Sequence, residues 1–205
     1  MLESLVKHKE LVRAVRLVAP DKAYVAVLTE MGVDQDDLGE SLTYFGDLDA
    51  TSESGLDWIF KHRGQRGKPH SRFTDGSIPV YYTALDRATA EAEIAHWLVP
   101  IEDTPNYFRP LVVEFLGAYP DLGELASQPT FLTGEKVDGA YAECLAVTRE
   151  AVELGYDAFK THSARLTGGR CFPILSRDAI RSLTPSGYVR FDYDNELARW
   201  TCRGL

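Results

Sequence analysis

The chain has few of the residues that build metal centres or disulfide frameworks. Among 205 residues it holds three cysteines, Cys144, Cys171 and Cys202, and no Cys-x-x-Cys pair. That spacing indicates neither a zinc site nor a disulfide scaffold, so the cysteines are read as structural thiols. His-Glu-x-x-His, Walker-type and Gly-x-Gly-x-x-Gly motifs are absent as well, which leaves no motif for zincin, P-loop or Rossmann chemistry. No apolar run approaches the roughly 20 residues that span a bilayer. The opening Met-Leu-Glu-Ser-Leu-Val-Lys-His-Lys-Glu lacks the apolar core and small-residue cleavage site of a secretory signal. A cytoplasmic protein without a membrane segment is expected. Basic charge is in deficit: 22 Lys and Arg against 31 Asp and Glu give a net charge of −9 and a pI of about 5.0. That balance disfavours nonspecific binding to nucleic acid or anionic membrane and leaves room for a basic partner.

What is present is ordinary globular composition, 44% hydrophobic and 26% charged. The length suits one compact domain, able to bury roughly 70% of its unfolded surface. Residues 1–18 read as a helix, because Leu2, Leu5, Val6, Val12, Val15 and Leu17 recur near helical spacing among charges. Lys22–Met31 reads as a second helix ending at Gly32, and Leu56–Phe60 as a short third. Together they make residues 1–60 a helical N-terminal extension of a single domain, 1–205, with a core over 65–195. Ile78–Leu85 has strand composition, and Asp86 is an apt N-cap for a helix from Arg87 to Leu98. Asn106–Ala118 reads as a strand, Lys136–Leu154 as a long helix with Gly155 as its C′ residue. Strands at Cys171–Leu175 and Tyr188–Tyr193 flank a short helical segment around Arg177–Leu183. The fold class is α+β, with a mixed or antiparallel sheet and helices around it.

Residues 69–96 gather the most chemistry. Arg72 precedes the Asp75-Gly76 turn, Tyr81 and Tyr82 follow on the extended segment, and Glu91 and Glu93 lie on the helix after Asp86. Successive strand residues face opposite sides, so one tyrosine enters the core and the other faces a ligand. Glu91 stands four residues after Arg87 and suits a surface ion pair. Glu93, with Thr89, His96 and Trp97 around it, is the better cleft carboxylate. The loop 61–72 is basic and serves either as a solvated loop or as an anion-facing rim. A second segment, Thr161–Arg170, is polar and contains Gly168-Gly169 ahead of a strand, so its backbone N–H groups can approach an anion. Ser163 adds a hydroxyl, and Arg165 or Arg170 adds charge. No acid–base pair stands near Ser163 in sequence, which disfavours a serine hydrolase.

Four segments in this order resemble the RES-domain family, named for an Arg, a Glu and a Ser. They are Ser71-Arg72-Phe73-Thr74, Val80-Tyr81-Tyr82-Thr83-Ala84, Thr89-Ala90-Glu91-Ala92-Glu93 and His162-Ser163-Ala164-Arg165. The resemblance covers roughly residues 65–195 and places the family arginine on Arg72, its tyrosine on Tyr82, its glutamate on Glu93 and its serine on Ser163. Thr74 and Cys171 stand where asparagine is usual, and His162 where proline is usual. A further arginine near the start of the domain falls on Arg13, Arg16 or Arg63. The resemblance implies a fold related to ADP-ribosyltransferases and an NAD-consuming toxin, partnered by an Xre-type helix-turn-helix antitoxin. Its implied chemistry is cleavage of the nicotinamide–ribose bond by hydrolysis or phosphorolysis, or transfer of ADP-ribose to a protein. NAD is then substrate and no metal is required. Glu93, Arg72 and Ser163 are the implied catalytic residues. Arg72, Tyr82, Ser163, Arg165, Gly168 and Gly169 are the implied NAD-binding ones. Homo-oligomers or toxin–antitoxin hetero-oligomers are both compatible with it. A catalytically degenerate binding module, engaging a basic partner through the acidic surface, is the alternative from another class.

Overall fold

The sheet is built around its longest strand, β2 (Asn106–Leu116). The computed structural model describes residues 1–18, 56, 60, 72–98, 106–125, 129–133, 139–187 and 189–204. One edge of β2 pairs antiparallel along its length with β1 (Leu11–Val18). The other edge is shared: residues 106–108 pair with β6 (Val189–Asp194), and residues 111–115 with β5 (Ile180–Pro185). Pro110, which has no N–H to give a ladder, sits where the partner changes, and its carbonyl accepts from Ser186 N at 2.9 Å. β7 (Arg199–Gly204) pairs with β6 and completes the antiparallel sheet. Among the described residues, the helices α1 (Arg87–Ala95) and α2 (Ala140–Glu153) and a separate small hairpin of β3 (Thr161–His162) and β4 (Arg170–Cys171) accompany it. The architecture is α+β, as the sequence indicates. Among the described residues no helix is long and apolar enough to cross a membrane.

The expected helix over 1–18 is instead a 3-10 turn, Leu2–Ser4, followed by β1. The reason lies in two-sided burial. Val12, Ala14 and Val18 pack into one core cluster with Phe115, Phe172 and Ile174, while Val15 and Leu17 pack into another with Phe108 and Phe191. A strand covered on both faces loses its polar–apolar alternation. Arg13 and Arg16, three apart, then imitate a helical polar stripe. The β-branched Val12, Val15 and Val18 are the strand signal that spacing obscured. This part of the supposed helical extension is therefore an integral strand of the sheet. Leu56 and Phe60 are both helical. The second expected helix, Lys22–Met31, and the basic loop before Arg72 lie outside the described residues.

Elsewhere the differences are local. Ile78–Leu85 is extended but forms single bridges, Tyr81 to Ile174 and Ala84 to both Val15 and Cys171, rather than a ladder. α1 ends at Ala95, short of Leu98. α2 runs to Glu153, and Gly155 follows it at φ +69°, a conformation glycine adopts without penalty. Of Cys171–Leu175 only Cys171 lies in a strand, the two-residue β4, and Ile174 forms isolated bridges. The segment expected to be helical around Arg177–Leu183 is a 3-10 turn, Arg177–Ala179, running directly into β5, and β7 is a strand beyond those the sequence indicates.

Among the described residues the core has three parts: one under β1, β2 and β5, one between α2 and the 72–82 segment, and one under α1 and β6. Each fully buried Leu, Val or Phe side chain contributes about 1.5–3 kcal/mol relative to exposure. The extended segment at 80–84 lies between the first two parts: Tyr81 belongs to one, Val80 to the other.

Candidate active site

The Asp86 carboxylate fixes the start of α1. One oxygen accepts from Thr89 N at 2.8 Å and the other from Thr89 Oγ1 at 2.8 Å, satisfying an orphan N–H of the first turn. Thr89 is wholly buried, and a Cβ at Gly169 would stand 2.7 Å from its hydroxyl. Gly169 is thus required for the β3–β4 hairpin to close on α1. Gly168 is required for a different reason, its φ of +80°.

With α1 docked this way, Ala90, Glu93, Ile94 and Trp97 line one cavity of about 270 Å³. Their spacing of three, four and seven is a single helical face. Glu91 sits off that face, paired with Arg87 at 2.6 Å, as the sequence indicates. Across the cavity stand Val15, Arg16 and Leu17 of β1, Arg72 and Phe73, Tyr82 and Thr83, Tyr141 of α2, Arg165, and Cys171 of β4. The tyrosines divide as strand geometry requires: Tyr81 is completely buried, and Tyr82 lines the cavity. The Tyr82 hydroxyl accepts from Phe73 N at 3.0 Å and so ties down the turn that carries Arg72.

Glu93 is held by the hairpin. Ser163 Oγ donates to Glu93 Oε1 at 2.6 Å and itself accepts from the backbone N–H groups of Arg165 and Leu166, both at 3.0 Å. A hydroxyl has one proton and two lone pairs. All three are engaged, so Ser163 orients the carboxylate in this arrangement rather than offering a donor to a ligand. Cys171 Sγ approaches the same Oε1 at 3.4 Å. Burial, and then the Glu93 charge, push this thiol well above its ordinary range. It is therefore a neutral S–H group.

Among the described residues, three guanidinium groups, Arg16, Arg72 and Arg165, share the cavity wall with one carboxylate, Glu93. The protein as a whole is acidic, so this is a local inversion of charge. Arg72 is buried, and its Nε has no hydrogen-bond partner; the same is true of Arg16 Nε. Arg16 Nη1 donates to the Tyr82 carbonyl at 2.8 Å, and its guanidinium lies 4.4 Å from the centre of the Tyr81 ring. Burial lowers the Arg16 pKa, opposed by the two tyrosines. Of the arginines considered for the family's additional position, Arg16 reaches the cavity. Arg13 is exposed and pairs with Glu114 at 3.2 Å, and Arg63 lies outside the described residues.

Ser163, Arg165 and Gly168 also line an adjoining cavity of about 520 Å³, with Thr130, Thr133 and His162. Arg165 is common to both cavities. Arg170, the alternative charge at this loop, turns away and is bound to Asp121 at 3.0 and 3.2 Å. Thr74 and His162 differ from the family's usual residues, yet both have structural work. Thr74 Oγ1 donates to the Ile78 carbonyl at 2.5 Å and accepts from Gly76 N at 2.9 Å, closing the turn. His162 lies against the Arg170 guanidinium. Arg16, Trp97, Tyr141 and the Cys171 contact are the cavity features that residue spacing did not single out. For Trp97 a signal existed: it stands one helical turn beyond Glu93.

Comparison with protein-family models matches residues 50–194 to the RES domain. The chain belongs to the RES-domain family. The match spans more than half of the sequence and contains Arg72, Tyr82, Glu93 and Ser163, while β1, with Arg16, and β7 lie outside it. RES domains are associated with toxin–antitoxin systems and NAD-related activity. A search of curated proteins returned no match.

Proposed function

We propose that this RES-domain protein is an NAD-consuming toxin, built on a fold related to ADP-ribosyltransferases, that cleaves the nicotinamide–ribose bond. One observation carries the proposal: a carboxylate fixed by Ser163 shares a cavity with three guanidinium groups, of which Arg72 has a buried, unpartnered Nε. A dinucleotide has both features this arrangement favours. Its pyrophosphate is an anion for the guanidinium groups. Its ribose becomes oxocarbenium-like as the glycosidic bond breaks, and a nearby carboxylate stabilises that charge.

In this reaction the C1′–N bond breaks and its electron pair returns to the pyridinium nitrogen, which neutralises the leaving nicotinamide. An oxygen of water or phosphate forms the new bond to C1′, and its proton passes to solvent. Glu93 orients the ribose and stabilises the cationic carbon. Tyr82 offers an aromatic edge or face to the base, and Arg72, with Arg16 and Arg165, holds phosphate. A space of about 270 Å³ suits one end of a dinucleotide, with the remainder passing Arg165 toward the adjoining cavity. In the cell, an antitoxin of the Xre type would silence the protein by covering this cleft.

The test is incubation of the purified protein with NAD carrying label in the adenosine half. Loss of NAD with release of nicotinamide and free labelled ADP-ribose, or its 1″-phosphate, is the expected result. Label retained on a protein would instead establish ADP-ribosyl transfer. NAD left intact by the wild-type protein would overturn the proposal.

A further inference from the structure

Two donors from one hairpin converge on a single oxygen of Glu93. Ser163 stands just after β3 and Cys171 closes β4; β3 and β4 are paired in register, Thr161 opposite Cys171. The backbone around Cys171 is clamped on its other side too. Ala84 bridges to Cys171, Leu85 N donates to the Arg170 carbonyl at 2.9 Å, and Phe172 N donates to the Thr83 carbonyl at 2.8 Å. The thiol therefore has little freedom beyond its own χ1. Glu93, by contrast, reaches the cavity on a side chain with three rotatable bonds, which only its partners can immobilise. Oε1 has the Ser163 hydroxyl at 2.6 Å and the Cys171 thiol at 3.4 Å, and among the described residues none donates to Oε2.

We infer that Cys171 is a positioning residue for Glu93: its S–H group, together with the Ser163 hydroxyl, pins Oε1 so that Oε2 is presented to the substrate. The thiol does this as a protonated donor, and the buried, carboxylate-facing environment keeps it so. A serine at this place would donate more strongly from slightly further away, and alanine would leave Glu93 on one donor. The cavity around this pair also carries Arg16 from β1, Arg72, Arg165, Tyr82 and Tyr141, none of which reaches Oε1. Cys144 and Cys202 lie elsewhere, one donating to the Phe131 carbonyl and the other on β7.

The inference rests on the proposed NAD reaction for its kinetic arm and on geometry alone for its chemical arm. Kinetically, Cys171→Ala should lower kcat about tenfold with KM unchanged within a factor of two, and Cys171→Ser should recover most of the loss. Chemically, Glu93→Gln removes the adjacent charge, so a small alkylating reagent at pH 8 should label Cys171 about tenfold faster, with Cys144 in the same sample as reference. Labelling is located by mass spectrometry and requires no turnover. Wild-type kcat in Cys171→Ala, or a Cys171→Ser protein of normal Tm that is equally impaired, would overturn the positioning role. Unchanged labelling in Glu93→Gln would overturn the contact itself. Should the wild type leave NAD intact, the proposed activity fails, while the labelling comparison still decides whether thiol and carboxylate are coupled.

Discussion

Arg72 and Arg170 occupy opposite ends of one electrostatic scale. Arg170 is well partnered: two contacts to Asp121, two to His162, and a guanidinium so close over Gly123 that any Cβ there would collide at 2.1 Å. Asp121 is saturated in turn by Lys160 at 2.7 Å and Gly123 N at 2.7 Å. Arg72 is just as buried as a structural arginine would be, yet its Nε meets nothing. A buried cation without a full set of acceptors costs stability. Its presence is intelligible if a ligand supplies the acceptors. Sequence alone could not separate the two, because both arginines stand beside glycine-containing loops, Asp75-Gly76 after Arg72 and Gly168-Gly169 before Arg170. What distinguishes them is whether an aspartate from another part of the chain arrives to complete the shell.

The most severe way to break the comparison is to remove the carboxylate that shares the cavity with Arg72. Glu93→Gln keeps an acceptor for Ser163 but no charge. NAD consumption should fall about 1,000-fold while the thermal transition stays in place. Equal rates for variant and wild type would mean that the carboxylate has no part in the reaction. Arg72→Ala comes next. A loss of about 100-fold in kcat/KM is expected, equivalent to about 2.7 kcal/mol at 1.36 kcal/mol per tenfold. Its Tm should hold or rise, since the buried Nε leaves no acceptor behind. A clear drop in Tm with intact turnover would make Arg72 a structural residue after all.

Arg170→Ala should behave in the opposite sense. With Asp121 stripped of one partner, unfolding free energy should fall by about 2 kcal/mol, which lowers Tm by about 4–8 °C for a chain of this size. Its kcat/KM should stay within about threefold of wild type. The same cluster has a pH signature. Burial alone would raise the Asp121 pKa, but Lys160, the Gly123 N–H and Arg170 outweigh it and hold the carboxyl below its ordinary value. A carboxylate depressed in the folded state stabilises fully above its unfolded pKa of about 3.9, and that contribution is lost as pH falls toward the folded value. Urea midpoints measured from pH 6 to pH 3 should therefore fall less steeply in Asp121→Asn than in wild type. Parallel slopes would show that the cluster contributes nothing to acid lability.

How much of this was legible beforehand depends on whether the signal was local. The Asp86 cap, α1, β2 and the Gly155 stop are written in neighbouring residues, and they were readable. So was the split between Tyr81 and Tyr82, which needs only the two-residue period of extended chain. β1 was misread because its two faces pack against different cores, and nothing within eight residues records that. Arg16 was one of three candidates, and only the pairing of β1 with β2 and the bridge from Val15 to Ala84 bring it to the cavity. The bond from Ser163 to Glu93 spans 70 residues. Family resemblance named both residues, but the sense of the bond, with the serine fully occupied in holding the carboxylate, required coordinates.

Trp97 offers the mildest probe of the same contrast between residues completed by the fold and residues awaiting a ligand. It is 59% exposed, touches His96 edge-on at 5.0 Å, and yet lines the cavity with Glu93 one turn before it. An indole of that size is seldom left so open on a helix face that borders a cleft. Stacking of a base on an exposed ring is worth about 1 kcal/mol, so Trp97→Ala should raise KM about fivefold and leave kcat nearly unchanged, with Trp97→Phe in between. Quenching of tryptophan emission by AMP or by nicotinamide, compared between wild type and Trp97→Phe, would show which end of the dinucleotide the ring meets. A wild-type KM in Trp97→Ala would place the ring outside the substrate's path and return it to the class of ordinary exposed aromatics.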